Sequence, residues 1–417
     1  METGMTRFAR HLLIVFLAFF PGLAEARERS AWVEAYRSSP AAYSFTPGEA
    51  LPASLRAAFA DPPAVRGTIR QRLAVAVGGR RLRVRFTNEE GRVPLRIGAA
   101  SIGLADAGFG ARRGTLRGLT FDGKAAVVIA PGSVVLSDPV GLNVKPLAEL
   151  VVSVLLPDPF TRARLGGAGL ANLSGDHTRD LEMPGASVLS GRPVASGVLV
   201  EARLAPRLIV ALGDSITDGN RLKAGELRGW PERLQQRIVA ARLNNRLAVV
   251  NAGIGANRVL QPGAGPPVLA RLDRDVLALG GVSHILLLEG INDIGMAGRN
   301  PIFGDWPSLD QADLIAAYRQ IIARAHVAGI KVVMGTILPF KGAFYYDLAK
   351  ERQRLAVNSW IRTSGVPDAV VDFEAAMADP SDPGRLNPAF DSGDHLHPNE
   401  AGYRAMGEAV DFSIFFR

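Results

Sequence analysis

The sequence predicts a chain of two parts. An all-β sandwich of the jelly-roll kind covers residues 27–204, and residues 205–417 form an α/β domain whose parallel sheet is covered by helices on both faces. Two contrasting textures carry this reading. From about Ala26 to Leu204 the chain is a series of short alternating apolar runs broken by Gly, Pro and Asp, the pattern of antiparallel strands and turns. After Ala205 longer apolar runs alternate with amphipathic stretches, as βα units do. Composition agrees, since 47% apolar and 21% charged residues allow a full core in a chain of 417 residues.

In the first part, Ile69 to Val77 and Arg81 to Phe86 flank Gly78-Gly79, which reads as a hairpin. Further strands are expected at Leu95 to Leu104, Ala125 to Ile129, Val134 to Leu136, Leu150 to Leu156 and Ser196 to Ala202. Pro159 to Gly191 shows little periodicity and reads as a long irregular excursion. In the second part, buried strands are expected at Leu208 to Leu212, Leu247 to Val250, Ile285 to Leu288, Lys331 to Thr336 and Ala369 to Val371. Helices are expected at Glu232 to Leu243, Asp313 to Ala328, Asp347 to Arg362 and Glu400 to Val410, the last just after Pro398. In such sheets, reactive groups gather at the carboxyl ends of the strands.

The N-terminus has the pattern of an export signal, residues 1–26. Arg7 and Arg10 precede an apolar run from Leu12 to Phe20, and Ala24-Glu25-Ala26 supplies small residues for cleavage. That run is shorter than the ~20 residues a spanning helix needs, so no membrane span is expected once the signal is removed. The expected location is the periplasm or the outside of the cell. No cysteine is present, which excludes thiol nucleophiles and cysteine-ligated zinc. The formal net charge is +8, yet the arginines are scattered and form no basic run interleaved with aromatics, so no nucleic-acid partner is expected. Nothing in the sequence specifies an oligomer.

Four polar clusters fall where the chemistry of such a sheet would sit. Gly213-Asp214-Ser215-Ile216-Thr217-Asp218-Gly219 follows the first strand, where a tight turn holds a serine exposed; a helix cap is the plain alternative. Asn251-Ala252-Gly253-Ile254-Gly255-Ala256-Asn257-Arg258 follows the second, and glycines there let backbone amides approach an oxyanion. Gly290-Ile291-Asn292-Asp293 follows the third and offers a neutral carboxamide donor. Asp394-His395-Leu396-His397-Pro398 precedes the last helix, with a carboxylate three residues before an imidazole that it can orient. His395 and Asp391 stand close by, but the offset favours Asp394 with His397. His177, His284 and His326 lack such company and read as structural or surface residues.

Taken together and in this order, the four clusters resemble the SGNH superfamily of GDSL esterases and lipases over roughly the last half of the chain. The resemblance implies a flavodoxin-like α/β/α domain with no metal or organic cofactor. It implies Ser215 as nucleophile, His397 as general base and acid, and Asp394 as the orienting carboxylate. The implied oxyanion hole comprises the Ser215 N–H, an N–H from Gly255 or Ala256, and the Asn292 side chain. Ala256 stands where the family places glycine, so a positive φ there would be strained. The arrangement with an N-terminal strand-rich part resembles exported bacterial carbohydrate esterases. The implied function is hydrolysis of a glycan or small-molecule ester, most simply removal of acetyl groups from a carbohydrate. A lipolytic esterase or thioesterase for longer acyl chains, an acyltransferase, and a glycan-binding protein with an inactive hydrolase domain are the competing readings. Arg258, Trp230 and Tyr345 are candidate substrate contacts, as are the aromatics of Ile302 to Trp306 and Phe340 to Tyr346; Arg258 also reads as a surface salt link, and the aromatics as ordinary packing.

Overall fold

The computed structural model describes residues 30–42, 64–160, 169–189, 191–219, 229–300 and 304–416, with the side chains of 299–306 excepted. The export-signal segment lies outside the described residues, as do the side chains of Ile302 to Trp306.

The N-terminal part holds two antiparallel sheets. One pairs Ala31–Arg37 with Ala195–Ala202, which pairs with Gly79–Thr87 and on to Val134–Leu136, with Val140–Val144 also on Gly79–Thr87. The other runs Ser187–Leu189, Leu170–Leu173, Val65–Ala74, Glu149–Phe160, Ala99–Leu104 and Arg117–Leu119. Alternate residues of both, among them Leu82, Val84, Phe86 and Val198 of the first and Leu73, Ile102, Leu150 and Val152 of the second, are buried in one core. This alternation of inward apolar and outward polar residues is what the short sequence runs encode.

Two local expectations are corrected. Gly78-Gly79 does not turn a hairpin, because Val65–Ala74 and Gly79–Thr87 lie in different sheets. Val75, Ala76 and Val77 carry the chain, buried, from one sheet to the other. A Cβ on Gly78 would sit 2.7 Å from Pro146 Cδ, so the glycine serves a close crossing rather than a turn. The supposed excursion after Pro159 contributes the strands Leu170–Leu173 and Ser187–Leu189. Its intervening loop is organised by one wholly buried side chain: Arg70 donates to Ser153 Oγ and to the carbonyls of Phe109, His177, Asp180 and Leu181. Such a centre leaves no periodic trace in sequence.

The second part contains five parallel strands: β1 (Arg207–Gly213), β2 (Leu247–Gly253), β3 (Val282–Leu288), β4 (Lys331–Gly335) and β5 (Ala369–Val371). Their order is β2-β1-β3-β4-β5, the flavodoxin-like order, which places the switch point beside β1. Leu208 to Leu212 are all wholly buried, as a central parallel strand covered on both faces requires. The helices are α1 (Ser215–Asp218), α2 (Trp230–Ala240), α3 (Val268–Leu272), α4 (Ile291–Met296), α5 (Gln311–Val327), α6 (Leu348–Thr363), α7 (Phe373–Met377) and α8 (Glu400–Ala409). Trp230, Leu234 and Ile238, four residues apart, give α2 its buried stripe. Asp310 opens α5 with a capping box, and Asn399 caps α8 through the Gly402 N–H at 3.0 Å. Arg237 of α2 donates to the carbonyls of Gly407 and Val410, which ties the end of α8 to α2. None of the described helices is long and apolar enough to cross a membrane.

Candidate active site

Ser215 is the first residue of α1, immediately beyond β1. Asp214 caps this short helix by accepting from the Ile216 N–H at 2.8 Å. As the first helical residue, Ser215 has a backbone N–H with no acceptor inside the helix. The turn is packed hard against the sheet: a Cβ on Gly213 would lie 2.1 Å from Thr217 Oγ1 and 2.3 Å from the Leu288 carbonyl oxygen. Only glycine fits there, which explains the first residue of the motif.

His397 reaches this serine from the loop before α8. Its Nε2 is 2.8 Å from Ser215 Oγ, and its Nδ1 is 2.8 Å from Asp394 Oδ2. A carboxylate can only accept, so Nδ1 carries the proton and Nε2 of the neutral ring accepts from the serine hydroxyl. Asp394 Oδ1 is fixed in turn by the N–H groups of Leu396 and His397 and by the Ser392 hydroxyl, at 2.8–3.1 Å. Ser215 and His397 are both largely buried. The neighbouring pair is separate: His395 Nδ1 contacts Asp391 Oδ2 at 2.7 Å, and the His395 side chain is exposed. The remaining histidines pair elsewhere, His177 with Asp180 and His326 with Asp368, while His284 packs edge-on against Phe415.

The second cluster forms a turn in which the Asn257 N–H donates to the Ile254 carbonyl at 3.1 Å. Ala256 occupies its third position with φ +59°, the left-handed region that favours glycine. Asn292, at the start of α4, is buried and donates from Nδ2 to the Asn257 carbonyl at 3.0 Å. The carboxamide carries a second N–H, suited to negative charge developing on a carbonyl oxygen. Tyr345 adjoins it, its hydroxyl 3.4 Å from Asn292 Oδ1. This candidate therefore stands beside the site, buried and packed on Phe340 and Phe344.

The other two substrate candidates are corrected. Trp230 is wholly buried and its ring packs against Phe373 at 5.5 Å, so the start of α2 is a core anchor. Arg258 is also buried and donates to the Pro262 carbonyl, facing Asp293 and Glu289 rather than an open cleft.

A buried charge network beneath the motifs was not read from sequence. Arg271 donates to the carbonyls of Gly213 and Ala252, at the ends of β1 and β2, and to Asn257 Oδ1 at 2.9 Å. Its salt bridge is to Asp275 at 3.0 Å. Burial alone would raise the Asp275 carboxyl, but Arg37, Arg274 and Arg271 outweigh it and hold that group well below the usual range. The i,i+4 spacing of Arg271 and Asp275 was the available signal. Asp293 accepts from the N–H groups of Val259 and Leu260, which steadies the turn beyond Asn257. Burial pushes Asp293 up to about 6 and Asp214 up to about 7, the latter raised further by Asp293. Glu289 is also raised, by burial and then by Asp214, which together outweigh the lowering by Arg271 at 3.9 Å. Among the described residues no cluster of three or more His, Asp or Glu side chains is arranged to hold a metal ion.

Residues 211–405 match the model of the GDSL-like lipase/acylhydrolase family. No curated protein matches the chain. Similar solved structures include a putative lipolytic protein of the G-D-S-L family from Desulfitobacterium hafniense, with 21% identity, TM-score 0.38 and coverage of 49% of this chain and 97% of that one. A variant of an acetyl xylan esterase from Geobacillus stearothermophilus gives 21% identity, TM-score 0.40 and coverage of 49% and 94%. A putative acylhydrolase from Bacteroides fragilis gives 21% identity, TM-score 0.37 and coverage of 50% and 86%.

Proposed function

Residues 211–405 are a GDSL-like lipase/acylhydrolase domain, a family of ester-bond hydrolases, and from that premise we propose that the chain is an exported serine esterase that removes short acyl groups, acetyl first, from a carbohydrate. The observation that carries the reading is the continuous contact from Ser215 Oγ through the His397 ring to Asp394, at 2.8 Å on each side.

In this reading the Ser215 oxygen attacks the ester carbonyl while His397 Nε2 takes its proton, and Asp394 stabilises the imidazolium. The oxyanion is held by the Ser215 N–H, one N–H of the Gly255–Ala256 turn and the Asn292 carboxamide. His397 then gives its proton to the leaving alcohol, and water repeats the sequence on the acyl-enzyme to release the acid. Export is supported by the signal-like pattern of residues 1–26. Support for a short acyl group comes from buried Tyr345, whose hydroxyl closes on Asn292 and limits depth beside the oxyanion donor. Phe344, half exposed and 4.3 Å from the Tyr345 ring, offers a face for a sugar.

One observation favours the second reading, longer acyl chains: Leu348 and Phe344 leave two large apolar side chains exposed within five residues of chain next to Tyr345. Rates on aryl esters of increasing chain length, beside acetylated xylo-oligosaccharides, separate the two. The first reading requires acetyl to be fastest, and a maximum at eight or more carbons sinks it. Ser215→Ala must abolish turnover and labelling by an organophosphonate; labelling of the folded wild type elsewhere, or not at all, ends the serine assignment.

A further inference from the structure

Two arginines of the N-terminal part enter the hydrolase domain, and one of them meets the carboxyl end of β2 and the turn that follows β1 directly. Arg192 is buried, and a single nitrogen, Nη2, donates to the Gly253 carbonyl at 3.0 Å and lies 3.0 Å from Asp218 Oδ2. Asp218 closes the nucleophile turn α1, and Gly253 ends the strand that leads into the Gly255–Ala256 turn. One cationic nitrogen from outside the hydrolase domain therefore ties together the two loops that flank the reacting carbonyl.

The second arginine acts on the same loop over a longer path. Arg37 Nη2 donates to Asp275 Oδ1 at 2.9 Å, and Asp275 Oδ2 accepts from Arg271 Nη1 at 3.0 Å. Arg271 Nε donates to Asn257 Oδ1 at 2.9 Å, and the Asn257 carbonyl accepts from Asn292 Nδ2 at 3.0 Å. The side chains of Arg37, Asp275 and Arg271 are wholly buried, so none of these contacts is diluted by water. Buried, charge-assisted guanidinium contacts are strong and directional, so each fixes the geometry of the group it meets.

We propose that Arg192 is a positioning residue for the Ser215 reaction, so that the N-terminal part sets the placement of the nucleophile turn against the oxyanion loop, with Arg37 supporting that loop through Asp275 and Arg271. The proposal rests on the hydrolase reading given above. Arg192→Met keeps the aliphatic stem and removes the bridging nitrogen, whereas Arg192→Lys returns one.

In the full chain, turnover of an aryl acetate is normalised to Ser215 sites titrated by a phosphonate, and amide hydrogen exchange is followed at residues 251–258. Arg192→Met lowers kcat per titrated site about 10- to 100-fold with KM within about threefold, the scale expected for misplacement of reacting groups. Arg192→Lys recovers most of that loss, and exchange at 251–258 rises in the Met variant alone. Wild-type kcat per site in Arg192→Met overturns the proposal. So does equal loss in the Met and Lys variants with a matching fall in Tm, which marks a role in packing only. If the wild type neither turns over esters nor is labelled, the hydrolase reading has failed; the positioning claim is then judged by exchange, and unchanged exchange in Arg192→Met overturns it.

Discussion

The side-chain amide of Asn292 is held by the backbone carbonyl of Asn257, at 3.0 Å, across two loops that leave different strands. One proton of the carboxamide is thus used to aim the other. The Asn292→Ala variant loses both the donor and this cross-loop tie. Its kcat on an aryl acetate is expected to fall ~10²–10³-fold, with KM much less affected. Steady-state kinetics check this, and a loss confined to KM would place Asn292 in ground-state binding instead.

The two Asp–His pairs in the loop before α8 make opposite predictions. Asp394→Asn disturbs the His397 tautomer, and kcat is expected to drop by up to about 10⁴-fold. Asp391→Asn keeps an oxygen for the Gly393 and His395 N–H groups and leaves the His397 contacts in place, so it stays within about threefold of wild type. Kinetics of the two variants side by side are sufficient. Reversal of their order would move the orienting role to Asp391.

Asp214 makes a contribution to stability that falls as pH rises through the acidic range. Burial raises its folded carboxyl from 3.8 to about 7, so between those values the folded state holds a proton that the unfolded chain has released. That contribution is full below pH 3.8, declines as pH rises towards 7, and is constant above. Asp214→Asn keeps a capping side chain without the titration and should flatten this decline, by on the order of 1 kcal/mol or more. Urea unfolding at pH 4.5 and 7.5 measures it; an equal slope in both proteins excludes Asp214 as a source.

Ala256 holds φ +59° in a turn that suits glycine. Ala256→Gly removes the left-handed penalty, of about 1–2 kcal/mol, at the cost of some extra freedom in the unfolded chain. The expected result is a small gain in urea midpoint. A loss of midpoint would show that the methyl group is needed for packing.

Much of the site was legible because its chemistry is local in sequence. Asp394 and His397 are three residues apart, and Pro398 announces the helix that follows. Ser215 stands at the end of an apolar run that only a buried strand explains. The parallel sheet was legible for the same reason, since runs such as Leu208 to Leu212 have no polar face. Residues whose role depends on what they meet across the fold were not. Arg258 and Trp230 read as candidates for a cleft, but both are enclosed by elements far away in sequence. Gly78-Gly79 has the composition of a turn and serves a crossing between sheets, a distinction made by Pro146. Arg192 and Arg37 look like any other arginines of a basic chain, because the partners described here come from the other part of the molecule.

Asp275 has a consequence for how the protein comes apart. Its carboxylate is shared by Arg37 from the N-terminal part, by Arg271 of α3 and by the adjacent Arg274. Cutting the N-terminal part away would remove Arg37 and open this buried cluster to water, with Arg271 and Arg274 left to face the carboxylate, and breaking a buried ion-pair network is costly. The two parts should accordingly melt in one calorimetric transition, and a minimal hydrolase would have to be redesigned at this carboxylate before it could be trimmed free.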